Sequence, residues 1–347
     1  MTVHIIPIEP LEERYSAQWL KWFASEVQTM PLLPYSICDP SDYLTTGIGS
    51  TIKHGQFLDI IDTCQYKSKQ LSILIDKMKF GRVVNGDTFL FLDGWFPGVE
   101  LLAYIRDGFG LKVKFVALFH AGTYDPADFL TQKGMEVWGK HLENSWFALY
   151  DKIIVATQYH KDLLIKTRKI DPQKISVVFF PMKLDWLPAL TPRNNLQVVF
   201  PHRLAPEKQP ELFKELEELN TDQQLTFVCT KRITSSKKRY WEILRQSTFA
   251  VSTALQETWG IAMIESVLAG CIPIVPDRLS YSELYPSIFK YPGTKVDNVV
   301  ELKYKLDCLK VQLSREPHLI ATALSSLQQK FAVLGHTAIP TILSHCC

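Results

Sequence analysis

The stretch "TFAVSTALQETWGIAMIESVLAGCIPIVPD", residues 248–277, holds two apolar runs of β type with a helical pattern between them. Apolar runs without alternation are typical of strands that are buried on both faces of a parallel sheet. The same succession of apolar run and helical pattern recurs along the chain. Further strand-like runs lie at 3–8, 88–94, 113–122, 152–157, 175–180, 196–201 and 225–230. The sequence therefore predicts an α/β fold built on parallel sheets.

The segment "PALTPRNN" (188–195), rich in proline and asparagine, separates these runs into two sets. A chain of 347 residues is also longer than one hydrophobic core usually serves. We therefore predict two Rossmann-like, doubly wound domains that face a central cleft. The predicted N-terminal domain covers 1–190, the C-terminal domain covers 191–325, and residues 326–347 form a helix that packs back on the first domain.

Composition narrows the class of protein. Apolar residues make up 46% of the chain and charged residues 21%, which is typical of a globular protein. The net charge of +2 predicts no basic surface over the whole molecule, although a local basic patch is compatible with it. No apolar run has membrane-spanning length, and the first ten residues lack a signal-peptide pattern. We therefore expect no membrane partner. The seven cysteines form no C-x-x-C pair, so we expect a cytoplasmic protein without a zinc site or a disulfide framework.

Polar side chains follow several of the predicted strands at the point where each strand ends. In the first half these residues are Glu9, Asp93, Trp95 and His120. Ligands of parallel α/β sheets bind beyond the carboxyl ends of the strands, so we expect these side chains near a site. Asp93 is a candidate to orient an acceptor hydroxyl, although it is also typical of an Asp-Gly turn. Trp95 and the adjacent Phe96 are candidates to stack on a base, and His120 is either a structural residue or a site residue.

Two acids, Glu257 and Glu265, flank the start of the helical pattern in the quoted stretch. Gly260 lies near the first helical turn, where free N–H groups and the helix dipole favour a phosphate. Glu265 follows inside the helix among apolar residues, where an unpaired charge is unfavourable. The sequence offers this carboxylate no obvious partner, so a ligand is the candidate partner. The alternative is a chance pair of acids on a solvated helix face.

Two cations, Arg203 and Lys208, follow the strand-like run 196–201. Arginine binds a phosphate through parallel hydrogen bonds and lysine binds it as a point charge, so the pair could clamp a diphosphate. The alternative is an ordinary helix start with a solvated lysine.

A second group of cations lies within 231–239, before another helical pattern. Its members are Lys231, Arg232, Lys237, Lys238 and Arg239. Positive charge at a helix start opposes the helix dipole, so an anionic partner such as a nucleic-acid backbone is a candidate. The alternative is a solvated helix N-terminus.

The order of these motifs, Arg-x4-Lys after one strand and Glu-x7-Glu after a later one, resembles the family-four retaining glycosyltransferases of the GT-B fold. The resemblance implies that Arg203 and Lys208 grip the diphosphate of a nucleotide-sugar donor. It also implies that Glu257 faces the sugar as a catalytic residue and that Glu265 binds the ribose.

The same resemblance assigns roles to a backbone segment and to one histidine. Backbone N–H groups of Trp259, Gly260 and Ile261 would contact the donor phosphates, and His120 would contact the donor sugar and aid catalysis. We expect no metal, because Arg203 and Lys208 can stabilise the departing diphosphate and no D-x-D stretch is present, and no cofactor beyond the UDP- or GDP-linked sugar as co-substrate. One departure limits the transfer of contacts, because "PIEPLEERYS" after the first predicted strand has no glycine-rich loop.

Finer resemblances concern the acceptor. Residues 196–287 resemble the tRNA-queuosine mannosyltransferases through their Pro-His-Arg, aromatic-Gly and Gly-Cys-x-Pro segments. The first half, in "IIPIEPLEERYSAQW" and "GDTFLFLDGWFPGVELLAYIRD", resembles bacteriophage glycosyltransferases that act on modified DNA bases.

These resemblances predict a retaining, metal-independent hexosyl- or pentosyltransferase that acts on a hydroxyl of a modified nucleobase in nucleic acid. A hydroxymethylated DNA base of phage type is favoured over queuosine in tRNA. The predicted acceptor-binding residues are Asp93, Trp95, Lys237, Lys238 and Arg239. One alternative is a glycosyltransferase for a cell-surface lipid or oligosaccharide precursor. Another is a non-catalytic module that binds a nucleotide sugar or nucleic acid.

Overall fold

A computed structural model describes residues 1–11, 14–30, 33–41, 59–183, 196–293 and 299–347. The chain divides into two compact units, and each has its own parallel sheet. The first unit contains 1–181 together with 337–347, and the second contains 182–336. The predicted linker at 188–195 lies outside the described residues.

The first unit is built on a six-stranded sheet in which every neighbouring pair is parallel. Its strands are β1 (Val3–Ile6), β2 (Tyr35–Ile37), β3 (Thr88–Phe91), β4 (Lys114–Leu118), β5 (Lys152–Val155) and β6 (Ile175–Val177). Their order in the sheet is β2-β1-β3-β4-β5-β6. The central strands are mostly apolar because both faces are covered, and Phe89, Phe91 and Phe115 are fully buried.

In the described part of 1–181, six helices accompany this sheet. They are α1 (Tyr15–Gln28), α2 (Ile60–Lys79), α3 (Val99–Gly108), α4 (Phe129–Gln132), α5 (Glu136–Leu149) and α6 (Gln158–Arg168). In α1 the buried residues Trp19, Phe23 and Val27 recur every four positions, which places them on one face of the helix. The hydroxyl of Thr157 caps α6 by accepting a hydrogen bond from the backbone N–H of His160.

The second unit is built on a five-stranded parallel sheet in the order β11-β10-β9-β7-β8. Its strands are β7 (Leu196–Phe200), β8 (Leu225–Cys229), β9 (Phe249–Val251), β10 (Ile272–Pro276) and β11 (Lys290–Tyr291). Its helices are α7 (Pro210–Glu218), α8 (Thr230–Ile233), α9 (Lys237–Gln246), α10 (Ile261–Leu268), α11 (Tyr281–Leu284), α12 (Val299–Arg315) and α13 (Pro317–Ser344). The part of α13 from Thr337 onward belongs to the first unit. None of the helices in the described ranges is long and apolar enough to span a membrane.

The sequence predictions of strands are confirmed, since each of the nine predicted runs contains a strand. The strands end earlier than the apolar runs do. For example, β4 ends at Leu118, so that His120 lies in the loop beyond it. The short strands β2 and β11 were not predicted, because three and two residues are too few to form an apolar run. The observed ends leave Asp93, His120, Arg203 and Glu257 in loops beyond the carboxyl ends of strands. Glu265 lies in α10, and Lys237, Lys238 and Arg239 lie in α9.

Candidate active site

Lys208 is the most deeply buried lysine or arginine among the residues of the second unit that the structure describes. It ends a 3₁₀ turn (Pro206–Lys208) beyond β7 and is only 5% exposed. Its ammonium donates to the backbone oxygen of Gln256 and, at 2.9 Å, to Oε1 of Glu257. Burial lowers the pKa of Lys208, although the charge of Glu257 opposes that shift. The alternative of a solvated lysine is therefore wrong.

Glu257 lies in the loop beyond β9 and receives contacts from the loop beyond β7. Besides Lys208, the Nδ1 atom of His202 lies 3.7 Å from Glu257 Oε1. His202 is 3% exposed, and its Nε2 atom has no hydrogen-bond partner among the residues that the structure describes. Burial, together with the charges of Lys208 and Arg203, holds the pKa of His202 well below its ordinary value, so the ring is neutral.

His202 was not among the predicted site residues. A signal for it was present, because it stands directly before Arg203 at the same strand end. The structure places it in one group with Lys208 and Glu257.

Arg203 keeps more contact with solvent than Lys208 does. Its side chain is 28% exposed, and its Nε and Nη2 atoms donate to Oε1 of the buried Glu207. Its charge also lowers the pKa of both His202 and Lys208. The two predicted diphosphate ligands thus belong to one cluster at the end of β7.

Helix α10 begins at a position that only glycine fits well. Gly260 caps the helix with a φ of +82°, and a Cβ atom there would lie 2.8 Å from a ring carbon of Tyr281. The N–H groups of the first turn, beginning at Ile261, carry the positive end of the helix dipole. Trp259 is 5% exposed, so its indole ring is buried. Gly260 therefore begins the helix as the sequence predicted, and the anion site remains a prediction.

Glu265 has protein partners, contrary to the sequence interpretation. It is 3% exposed, its Oε1 accepts from Lys237 Nζ at 2.5 Å, and its Oε2 accepts from the Tyr240 hydroxyl at 2.9 Å. Both partners lie at the start of α9, 28 and 25 positions earlier in the chain. Local sequence spacing cannot predict a contact between residues that are so far apart in the chain.

The predicted basic cluster at 231–239 divides in the structure. Lys237 pairs with Glu265 and is not part of the exposed group. This contact corrects the prediction that Lys237 binds the acceptor together with Lys238 and Arg239. Lys238 is exposed, and Arg239 forms an exposed pair with Glu242 at 2.9 Å. A contact of Lys238 and Arg239 with a nucleic-acid backbone remains a prediction.

In the first unit, Asp93 makes the predicted turn interaction and an ion pair with Lys67, and its role in orienting an acceptor hydroxyl remains a prediction. Its Oδ1 accepts from the backbone N–H of Trp95 at 3.1 Å, which is the turn interaction, and its Oδ2 accepts from Lys67 Nζ at 2.7 Å. Burial raises the pKa of Asp93, but Lys67 and His120 outweigh burial and hold the pKa below its ordinary value. Asp93 is therefore an ionised carboxylate at the end of β3.

His120 is held on both ring nitrogens. Its Nε2 donates to the backbone oxygen of Leu92 at 2.8 Å, and its Nδ1 lies 3.3 Å from the Tyr15 hydroxyl. The ring packs against Trp19 and Phe180, and burial lowers its pKa. These contacts account for a structural role, and the predicted role at a donor sugar remains a prediction.

The two aromatic candidates differ. Trp95 is half-buried, donates from Nε1 to Glu143 at 3.1 Å, and packs edge-on against Trp138, which is 48% exposed. Phe96 is 2% exposed and packs against Phe91 in the core. Phe96 therefore has no open face, and its candidacy for stacking on a base is wrong.

A buried hub at Glu143 escaped the sequence analysis. Its Oε1 accepts from the backbone N–H of Thr123 at 2.6 Å, and its Oε2 pairs with Arg168 at 2.8 Å. Because it also holds the indole of Trp95, this fully buried carboxylate fixes the loops beyond β3 and β4. At the first strand end, Glu9 is likewise buried and accepts from the Thr63 hydroxyl at 3.0 Å.

No protein-family model matches the chain. It is similar to a tRNA-queuosine alpha-mannosyltransferase of Drosophila melanogaster, with 24% identity over 33% of this chain and 40% of that protein. The match thus spans less than half of the length of this curated relative.

Solved structures match the whole chain at low identity. Sucrose-phosphate synthase from Thermosynechococcus elongatus has a TM-score of 0.68 at 10% identity, covering 99% of this chain and 98% of that one. A glycosyltransferase from Rickettsia africae has a TM-score of 0.64 at 12% identity, covering 99% and 97%. Anabaena Alr3699/HepE in complex with UDP has a TM-score of 0.63 at 11% identity, covering 99% and 100%. The fold is the α/β GT-B fold of these glycosyltransferase structures.

Proposed function

We propose that this chain is a retaining glycosyltransferase that takes a sugar from a nucleotide-sugar donor. The contact between Lys208 and Glu257 carries the proposal, because it joins two motifs that are 49 positions apart. Arg203, Lys208 and Glu257 are thereby gathered at the carboxyl ends of β7 and β9, the edge at which such sheets bind ligands. The similarity to glycosyltransferase structures supports the same reading.

The proposed chemistry centres on the departing diphosphate. The bond between the anomeric carbon and the phosphate oxygen breaks through an oxocarbenium-like transition state. Arg203, Lys208 and the N–H groups at the start of α10 would stabilise the developing negative charge. The acceptor oxygen bonds to the anomeric carbon on the same face, and its proton passes to the departing phosphate oxygen. Glu257, held by Lys208, would face the sugar.

UDP is the nucleotide that we propose first. Anabaena Alr3699/HepE is a structural neighbour that was solved with UDP, and its match covers 99% of this chain. The ribose of the nucleotide would bind at Glu265, and GDP is the alternative nucleotide.

For the acceptor we propose a hydroxyl on a modified nucleobase, in DNA before tRNA, with the reaction in the cytoplasm of a cell or phage host. The support is the partial similarity to a tRNA-queuosine alpha-mannosyltransferase. Asp93 is an ionised acceptor of hydrogen bonds, and Trp95 is held by Glu143 and presents a half-buried ring. A base inside a duplex would have to be flipped or single-stranded to reach such side chains.

The test is a transfer assay with mass spectrometry of nucleosides. UDP- and GDP-linked sugars are incubated with hydroxymethylated DNA, queuosine-containing tRNA, a lipid acceptor and free sugars. We expect one sugar to be added to a nucleobase, and no addition with Lys208→Met. Transfer to the lipid or the free sugars alone contradicts the proposed acceptor. If the protein neither transfers a sugar nor binds a nucleotide, the proposal that it is a glycosyltransferase is contradicted.

A further inference from the structure

The carboxylate of Glu265 is fixed by one donor on each oxygen. Lys237 donates to Oε1 at 2.5 Å and Tyr240 donates to Oε2 at 2.9 Å. Burial, reinforced by Glu265, raises the pKa of Tyr240 well above its ordinary value, so its hydroxyl keeps the proton that it donates. The carboxylate is thereby held in one orientation at 3% exposure.

The ammonium of Lys237 is itself confined. It lies 4.6 Å from the ring centroid of Tyr240 and 5.0 Å from that of Trp241, within the range of cation–π contacts. Its side chain is 20% exposed, so the pair with Glu265 lies at the border of the protein interior.

This arrangement does not serve the helices that carry it. Lys237 is the first residue of α9, where a positive charge opposes the helix dipole. Glu265 lies inside α10 among Met263, Ile264 and Val267, which are fully buried. Buried ion pairs are often no more stabilising than apolar residues of similar volume. A lysine at a helix start and a carboxylate inside an apolar helix each break a local rule, which is typical of a functional position.

The hydrogen-bonding capacity of the carboxylate indicates the ligand. An ionised carboxylate has about four acceptor positions, two on each oxygen. Lys237 takes one position on Oε1, and Tyr240 takes one on Oε2. One position on each oxygen remains for a further donor, and a vicinal diol can supply two hydroxyl donors side by side.

We propose that Lys237 and Tyr240 are positioning residues that hold the carboxylate of Glu265 in the orientation that binds the vicinal diol of the donor ribose. This inference rests on the proposed function. It assigns Lys237 to recognition of the nucleotide and removes it from the acceptor surface.

The experiment compares UDP with 2′-deoxy-UDP by calorimetry, and GDP with 2′-deoxy-GDP in parallel. The wild-type protein should bind the ribonucleotide about tenfold more tightly than the deoxynucleotide, since a hydrogen bond to a charged group is at stake. Lys237→Met should weaken ribonucleotide binding about tenfold and leave the deoxynucleotide within about threefold, so that the preference is lost. Lys237→Arg should restore it, and Tyr240→Phe should reduce it.

Controls separate positioning from folding. Lys214→Met removes a lysine from an exposed pair with Glu218 and should keep the wild-type preference. If Lys237→Met misfolds, as circular dichroism would show, Tyr240→Phe and Lys237→Arg carry the test. An unchanged preference in Tyr240→Phe and Lys237→Met overturns the positioning role. So does tighter ribonucleotide binding by Lys237→Met, which would mean that Lys237 blocks the site.

The proposed function fails in a different way, because it requires the wild-type protein to bind UDP or GDP, and binding of neither nucleotide would contradict it. If the wild-type protein binds the ribo- and deoxynucleotides equally, Glu265 does not bind the ribose and the positioning role is overturned. If it discriminates and the Lys237 and Tyr240 variants discriminate equally well, only the positioning role is overturned.

Discussion

The ion pairs of Glu257 and Glu265 in the second unit differ from the ion pair of Glu143 in the first unit. In the second unit, Lys208–Glu257 and Lys237–Glu265 each join separate loops or helices around residues of the proposed donor site, and Lys237 keeps 20% exposure. In the first unit, the pair between Arg168 and Glu143 is almost fully enclosed, with exposures of 6% and 0%. It holds a loop and an indole ring. Partly open pairs can meet a ligand, whereas enclosed pairs fix the surfaces around them.

Removing Lys208 should have the largest effect on activity. Lys208→Met deletes a cation from the departing diphosphate and leaves Glu257 without its partner, so we expect kcat to fall about a hundred- to a thousandfold. Steady-state kinetics with the donor measures this loss. Lys214→Met is the matched control and should keep the wild-type activity. Activity within twofold of wild type in Lys208→Met would show that the Lys208–Glu257 pair does not belong to the donor site.

Removing the charge of Glu143 should act on stability. Glu143→Gln leaves Arg168 buried without a counter-charge, so the free energy of unfolding should fall by about 3–5 kcal/mol. Denaturant unfolding of the whole protein, wild type and variant, measures this loss of free energy. Glu136→Gln, an exposed change on the same helix, should cost about 1 kcal/mol or less. If nucleotide affinity were lost in folded Glu143→Gln while stability stayed constant, the enclosed pair would belong to the donor site.

Acid should destabilise the protein through its buried histidines. Burial lowers the pKa of His160 to about 3, whereas the unfolded chain has an ordinary histidine pKa of about 6.5. The unfolded state therefore binds more protons between these values, and stability falls as the pH drops below 6.5. From pH 7 to pH 5 we expect a loss of about 2 kcal/mol from His160.

The variant His160→Gln isolates that contribution. Unfolding measured at pH 7 and at pH 5 should show a smaller loss in the variant than in wild type. Equal losses in the two proteins would show that His160 does not stay neutral. A loss that grows toward alkaline pH would have the wrong sign.

The exposed cations should give the smallest effect. Lys238→Ala combined with Arg239→Ala should weaken binding of hydroxymethylated single-stranded DNA severalfold and lower the salt slope by up to about two. Filter binding at several salt concentrations measures both quantities. UDP affinity should stay at the wild-type value, and an unchanged DNA affinity would remove α9 from the acceptor surface.

The second unit was more readable from sequence than the first. Arg203 and Lys208 lie five positions apart in one loop, and Glu257 and Glu265 frame one helix start, so local spacing carried the signal. The partner of Glu265 was not readable, because Lys237 comes from another helix 28 positions earlier.

The hub of the first unit gave no local signal. Glu143 gathers Trp95, Thr123 and Arg168, which are 48, 20 and 25 positions away. Only the fold brings such residues together. By contrast, the strands of both sheets were readable because burial on both faces imposes an apolar run.

Titration of UDP and GDP into the wild-type protein and Arg203→Ala is the most direct test of the donor site in the second unit. Among the three cations of the proposed donor site, Arg203, Lys208 and Lys237, Arg203 is the most exposed. Its guanidinium is also the group best able to bind a phosphate with two hydrogen bonds. We expect one nucleotide to bind to wild type, and the variant to bind it about ten- to a hundredfold more weakly. Equal affinity in the two folded proteins, or no binding of either nucleotide to wild type, would contradict the donor site.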